Sequence, residues 1–200
     1  MNDASALLKP FLGAIGGART FRDPVFGTWA QEHEDVTAVV GLALLECGDG
    51  EWIERIRDWC IAAQTKEGSW PSFWWTTDVY VTAKNIEFLT ASGVTREGIL
   101  RRAAEWTLAQ ESDSSPFAAA HAVIALAHCG LGDHKQAWRL VDFLGDLQLP
   151  DGSWPPSKTL LVPHQHRRDV PPAAFEDCRG FMTTATCLQA LQIWANCKHK

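Results

Sequence analysis

The sequence predicts an all-α fold of about four helix pairs arranged in two concentric layers. Three observations carry this reading. Apolar residues recur at spacings of three and four along the chain, which is the period of a helix face and not of a strand. Four apolar stretches align with one another, as sequential copies of one unit would. Two further stretches repeat an unusual spacing of unlike residues, which marks a duplicated structural unit.

The aligned stretches are Asp35–Leu44, Tyr80–Leu89, Phe117–Leu126 and Met182–Leu191. In register, Thr37, Thr82, Ala119 and Thr184 coincide, then Ala38, Ala83, Ala120 and Ala185, then Leu44, Leu89, Leu126 and Leu191. Small residues early in each helix let neighbouring helices approach closely, and the leucine supplies a shared core contact. Gly48, Gly93 and Gly130 follow three of the four and suit a left-handed helix stop. Between these inner helices lie more polar ones, about 51–64, 96–110 and 134–148, with charge on one side; a first helix over about 3–15 fits the same outer role. The repeated spacing ends two of the outer helices. It reads Trp59, Gln64, Gly68, Trp70 in one copy and Phe143, Gln148, Gly152, Trp154 in the other. Each Gln falls where the last helix carbonyls lack partners, each Gly allows a tight turn, and each Trp stacks over the junction. Gly27-Thr28-Trp29 reads as a degenerate third copy. Residues 155–179 lengthen the last repeat with Pro155, Pro156, Pro163, Pro171 and Pro172 and the cluster His164 to Asp169, either as a lid or as a solvated loop.

The Gln-to-Trp spacing resembles the QW repeat of the squalene-hopene cyclase and oxidosqualene cyclase superfamily, whose α/α-barrels are shared by protein prenyltransferase β-subunits. The resemblance covers nearly the whole chain and implies an α/α-toroid formed by residues 1–200 as one domain. Family toroids use more helix pairs than the four here. The expected barrel is therefore smaller or open, or is closed by a homodimer or a partner subunit across the exposed apolar edge.

The resemblance extends to a candidate site. Glu34-Asp35-Val36-Thr37-Ala38 looks like the acid motif of class II terpene cyclases, in which an Asp-x-Asp-Asp-Thr-Ala run opens an inner helix and its middle Asp protonates an alkene or epoxide. In register Asp35 takes the place of that acid, Thr37 and Ala38 match, and His33 and Val36 replace the flanking aspartates. Glu34 and His33 are then the local groups able to hold the acid protonated, with His121 or His128 as candidates from another inner helix. The alternative reading makes Asp35 a helix N-cap. Phe73, Trp74, Trp75, Tyr80, Phe117 and Phe181 form a candidate aromatic wall, because ring faces stabilise a carbocation by about 0.5–2 kcal/mol each; packing at the barrel mouth is the competing reading. Asp78 is a second cavity carboxylate or another N-cap. Arg167 and Arg168 suit a diphosphate.

The remaining features narrow the function. A net charge of −6 argues against a nucleic-acid partner. The N-terminus lacks a signal-peptide pattern and no apolar run is long enough for a membrane span, so a soluble cytoplasmic protein is expected; peripheral membrane contact stays compatible. The six cysteines show no framework spacing and read as reduced. Zinc, bound by prenyltransferase β-subunits, is not expected: Thr183 stands at their His position, and Asp177 and Cys178 are adjacent, although His164 and His166 could substitute geometrically. Two function classes remain. One is a class II-type cyclase of a linear isoprenoid with Asp35 as acid, needing no cofactor beyond Mg²⁺ for a diphosphate substrate. The other is a non-catalytic toroid that binds a prenyl chain, a peptide or a protein.

Overall fold

Close helix approach sets the inner layer. The computed structural model describes residues 4–197, apart from the side chains of 96 and 97. Its inner helices are α2 (Glu34–Cys47), α4 (Asp78–Ala91), α6 (Pro116–His128) and α8 (Phe181–Cys197). They pack in sequence order, α2 on α4, α4 on α6 and α6 on α8. Ala38, Ala83, Ala120, Leu44, Leu89 and Leu126 are wholly buried, as the aligned pattern predicts. Gly41 shows how tight the layer is, since a Cβ there would lie 2.6 Å from the Phe88 ring. The pattern weakens in α8. It packs on α6 through Thr183, Cys187 and Ala190, while Ala185 is exposed and Leu188 is 53% exposed.

The outer helices are α3 (Gly50–Ala63), α5 (Arg101–Leu108), which follows a wider helical turn over Arg96–Leu100, and α7 (Lys135–Leu147). The first outer segment is shorter than the sequence suggests. It comprises α1 (Ala4–Leu8) and a single tight turn, Lys9–Phe11, with residue 3 outside the described residues.

The duplicated motif has one geometry. The Trp70 indole N–H donates to Cys60 O at 2.7 Å, and that of Trp154 donates to Leu144 O at 2.7 Å. Both indoles are buried, and each fixes the turn back onto its own outer helix. Gln64 Nε2 donates to Gly68 O at 2.8 Å and to Ile99 O at 2.9 Å, and its Oε1 accepts from Arg102, so it also ties α3 to the next outer helix. Gln148 repeats the first of these bonds, to Gly152 O, at 3.1 Å. Gly68 and Gly152 hold φ of 105° and 85°, where only glycine is at ease.

A third copy exists, but not at Gly27-Thr28-Trp29. The turn Leu12–Ala18 reproduces the motif backbone: Gly13 N–H donates to Gly17 O at 2.7 Å, as Thr65 does to Ser69 and Leu149 to Ser153, and Gly16 has φ 108°. Leu12 and Ala18 stand where the other copies carry Gln and Trp, which hid it. Trp29 instead donates its indole N–H to Pro163 O at 2.8 Å.

All three copies end in the same clasp. Thr37, Thr82 and Thr184 each accept, on the hydroxyl, the backbone N–H at the motif's last position: Ala18 at 2.8 Å, Trp70 at 3.2 Å and Trp154 at 3.1 Å. The coinciding threonines of the aligned helices thus join each turn to the inner helix after it.

The segment 155–179 is not structureless. It forms an antiparallel hairpin, β1 (Lys158–Val162) with β2 (Ala173–Glu176), the one sheet among the described residues. The hairpin lies over the end of the layer where the inner helices begin. Thr76 N–H donates to Thr159 O at 3.0 Å, Leu161 N–H to Trp74 O at 2.8 Å, and Thr28 N–H to Gln165 O at 2.8 Å.

The clasp carries a stability prediction. Thr82→Val keeps the shape and leaves the buried Trp70 amide unpartnered, so a loss of about 1–3 kcal/mol is expected. Equilibrium urea unfolding measures it, and a loss below a few tenths of a kcal/mol would show that the hydroxyl is dispensable.

Candidate functional site around Asp35

Asp35 lies in the first turn of α2 and is 2% exposed. It does not cap its own helix. The N-cap residue is His33, without a side-chain bond to the helix amides. Asp35 Oδ2 reaches the neighbouring loop and accepts the backbone N–H groups of Phe73 at 3.1 Å and Trp74 at 2.7 Å. Oδ1 is buried without a hydrogen-bond partner. Burial raises the carboxyl's pKa, against the opposing pull of the Trp74 and Phe73 amides, of His33 and of the Val36 amide in its own helix.

One carboxyl oxygen thus accepts two backbone N–H bonds, and burial opposes the charge that those bonds favour. The amides also favour proton release, because they stabilise the charge that departure of the proton would leave. Burial raises the pKa of Glu34 as well, with smaller contributions from Asp35 and Asp78. It lowers that of His33, whose Nε2 lies 2.9 Å from Thr28 O and whose ring stacks on Phe73 at 3.6 Å.

The loop that supplies the two amides is held on several sides. Ser72 N–H donates to Asp78 Oδ1 at 2.8 Å, and Ser72 Oγ bonds both the N–H and the carbonyl of Trp75. Asp78 is exposed and serves this brace, while Thr77 caps α4.

The six predicted aromatics divide into three groups. Phe73 and Trp74 join Phe21, Phe26 and Trp29 in a chain of ring contacts of 4.5–5.8 Å. Trp75 turns the other way, into the inner layer, where it stacks on Tyr80 at 3.9 Å and on Phe117 at 5.8 Å. Phe181 joins neither cluster and is 71% exposed. Three consecutive residues thus bind the acid through two backbone amides and supply rings to both clusters. The sequence reading missed Phe21, Phe26 and Trp29, although their density within nine residues was a visible signal.

Arg167 and Arg168 line a cleft of about 540 Å³ together with His33, Glu34, Phe73 and His164. Arg167 pairs with Asp169 at 2.8 Å, and Arg168 donates to Gln31 at 3.2 Å. Both arginines therefore sit at the Asp35 end. The inner-helix histidines do not reach Asp35 by any hydrogen bond: His121 lies edge-on to Tyr80 and Phe117 at 4.8 and 4.6 Å, and His128 is at the far end of α6. Among the described residues no group of three or more His, Cys, Asp or Glu is placed to hold a metal ion, and no helix is long and apolar enough to cross a membrane.

The raised pKa of Asp35 predicts a pH signature. The unfolded chain releases this proton near 3.8, whereas the folded protein keeps it to higher pH. Folding takes up a proton between those two values, so this residue's contribution to stability falls as pH rises through that window. Unfolding free energies measured at successive pH values should show that fall in the wild type and lack it in Asp35→Asn. Parallel profiles would mean that the carboxyl is not held protonated.

No protein-family model matches the sequence, and no curated protein does. Solved structures do match. A protein from Actinoplanes aligns at TM-score 0.77 and 27% identity, over 96% of this chain and 68% of that one. The type II terpene cyclase MstE from Scytonema aligns at TM-score 0.80 and 23% identity, over 96% of this chain and 67% of that one. ent-Copalyl diphosphate synthase from Streptomyces platensis aligns at TM-score 0.66 and 21% identity, over 94% of this chain and 37% of that one. This chain spans about two thirds of the length of the first two. The chain shares its all-α fold with these solved structures.

Proposed function

We propose that the chain acts as a class II-type cyclase, starting the cyclisation of a linear isoprenoid with a proton from Asp35. The observation that carries this reading is the Asp35 carboxyl: buried, held through Oδ2 by the Phe73 and Trp74 amides, and unpartnered at Oδ1. A helix cap would direct the carboxyl to the amides of its own helix start, whereas this one reaches across to the loop beside the aromatic residues. The likeness to MstE adds weight, since variants of that enzyme were solved with geranylgeranyl dihydroxybenzoate as substrate and with merosterolic acid A as product.

In this reading the O–H bond at Oδ1 breaks, and the proton adds to the terminal C=C of the substrate. The electron pair of that double bond forms the new C–H bond and leaves a carbocation. Neighbouring double bonds attack in turn and close the rings. Loss of a proton beside the last cation restores a C=C, so the net change is an isomerisation and Asp35 regains its proton from solvent. The two amides hold the carboxylate in the interval. Trp75, Tyr80 and Phe117 offer ring faces to the cation. The chemistry is redox-neutral and asks no cofactor of the protein, with Mg²⁺ relevant only to a diphosphate substrate.

A specific observation favours a second reading, a prenyl-binding module without catalysis. Trp75, Tyr80 and Phe117 are stacked on one another with Phe117 only 1% exposed, so the wall is packed in the absence of a ligand.

Product analysis by mass spectrometry with farnesyl, geranylgeranyl and squalene substrates separates the two. Wild type should form cyclised products, and Asp35→Asn should bind the same substrate and form none. Trp75→Ala should keep the acid and lose roughly 2- to 30-fold in turnover, the equivalent of one ring's contribution of about 0.5–2 kcal/mol. Binding without cyclisation in the wild type would leave the binding module as the function.

A further inference from the structure

A cleft of about 590 Å³ opens between the start of α4, the start of α6 and the first residues of β1. Three pieces of chain supply its polar walls. Thr76 and Thr77 come from the loop that leads into α4, Ser114 and Ser115 from the turn before α6, and Ser157 and Lys158 from the hairpin. The remaining lining side chains are apolar. Two of the walls are fastened together: Thr76 Oγ1 donates to Lys158 O at 2.6 Å, and Thr76 N–H donates to Thr159 O at 3.0 Å. Thr77 and Ser115 cap the two helices, accepting the N–H groups of Val79 and Ala118, each at 3.2 Å. Each of these hydroxyls keeps its own proton to donate. Asp78, in the first turn of α4, is directed to Ser72 N–H instead.

Two groups in this cleft lack the partners such groups normally have. Ser157 is 3% exposed, and its Oγ is buried without a hydrogen bond. Buried hydroxyls are normally bonded, so an orphan lining a cleft points to a ligand. Lys158 is exposed, and among the described residues its ammonium forms no ion pair, although Glu176 stands opposite it across the hairpin. Two inner helices also begin here, and a helix start carries partial positive charge. Hydroxyl donors, one ammonium and two helix starts together favour a negatively charged oxygen group.

We infer that this cleft binds a phosphoryl group, either a free phosphate ion or one carried on an organic chain. Its donors come from three separate segments and so reach a ligand from three sides. That suits a group with three acceptor oxygens better than a planar carboxylate with two. Lys158 supplies the charge, and Ser157 gains the partner it lacks. The site is distinct from the cleft of Arg167 and Arg168, which shares only Leu161 with it and whose two arginines already bond Asp169 and Gln31. The inference does not depend on Asp35 acting as an acid.

Isothermal titration calorimetry of the full chain tests it, with inorganic phosphate, acetate and geranylgeranyl diphosphate as probes. Wild type should bind phosphate at least about tenfold more tightly than acetate, and Ser157→Ala and Lys158→Gln should each weaken phosphate binding about tenfold. Ser157→Ala removes a hydroxyl that makes no bond in the folded chain, so its melting temperature should not fall, which separates a lost ligand contact from a lost fold. Geranylgeranyl diphosphate bound more tightly than phosphate, and weakened by the same two variants, identifies the source as a phosphorylated prenyl chain. Equal or weaker binding of that probe identifies it as the free ion. Either result supports the site. Absence of phosphate and diphosphate binding, acetate bound as tightly as phosphate, or unchanged phosphate affinity in either variant overturns it. So does a loss of phosphate binding caused instead by the pair Arg167→Gln and Arg168→Gln, which would move the anion to the other cleft.

Discussion

The bond from a threonine hydroxyl to the backbone N–H of the preceding turn is the contact on which this architecture depends. It occurs at Thr37, Thr82 and Thr184 and fixes where each outer-to-inner connection meets the next inner helix. The indole bonds of Trp70 and Trp154 secure the same turns from the other side, onto α3 and α7. A turn held at both ends has little freedom, so the loop that follows leaves it in a defined direction. For Trp70 that loop is 71–77, and it delivers the amides of Phe73 and Trp74 to an aspartate on the neighbouring helix. The position of the candidate site is therefore set by the repeat.

Burial and hydrogen bonding act in opposite directions at Asp35. Burial favours the protonated acid, while the amides and His33 favour the carboxylate, and burial is the larger. Each effect thus offsets part of the other at a single carboxyl. Full desolvation without the amides would give a weak acid; amides in an open site would leave the group ionised. The cost of the arrangement is an unsatisfied buried oxygen, and the same kind of cost recurs at His121, Thr90 and His128. Such costs persist only where the surrounding core over-determines the structure, as the close-packed alanines and leucines of α2, α4 and α6 do here.

Much of the fold was legible because the repeat is written in side chains of extreme character. Gly, Trp and Thr at fixed spacing reveal the turns and clasps, and the period of three to four reveals the helices. The first copy was misplaced at Gly27-Thr28-Trp29 because Leu12 and Ala18 preserve its backbone without its signature side chains. The hairpin at 158–176 was not legible either, since its prolines read as loop and its strands are short. At the site, helix registration put Asp35 and Tyr80 at one end, but no pattern along the sequence specifies that Phe73 and Trp74 contribute amides to the acid. Backbone donors carry no residue signature. Spacing likewise did not reveal that Trp74 and Trp75, adjacent in sequence, would face different clusters, nor that Phe181, at the start of α8, would face solvent.

The position of the hairpin bears on how the basic cluster should be read. Arg167 and Arg168 suggested a head-group site by composition, but the structure occupies both, with Asp169 and with Gln31. Gln31 lies just before α2, so the Arg168 contact helps hold the hairpin against the segment that leads into Asp35. Trp29 and Thr28 bind the same hairpin through Pro163 and Gln165, and Thr76 and Trp74 bind it through β1. The hairpin is thus fastened to both segments that meet at the acid. Burial is what raises the carboxyl's pKa, and the long insertion is fastened to both segments that bring the carboxyl and its amide partners together.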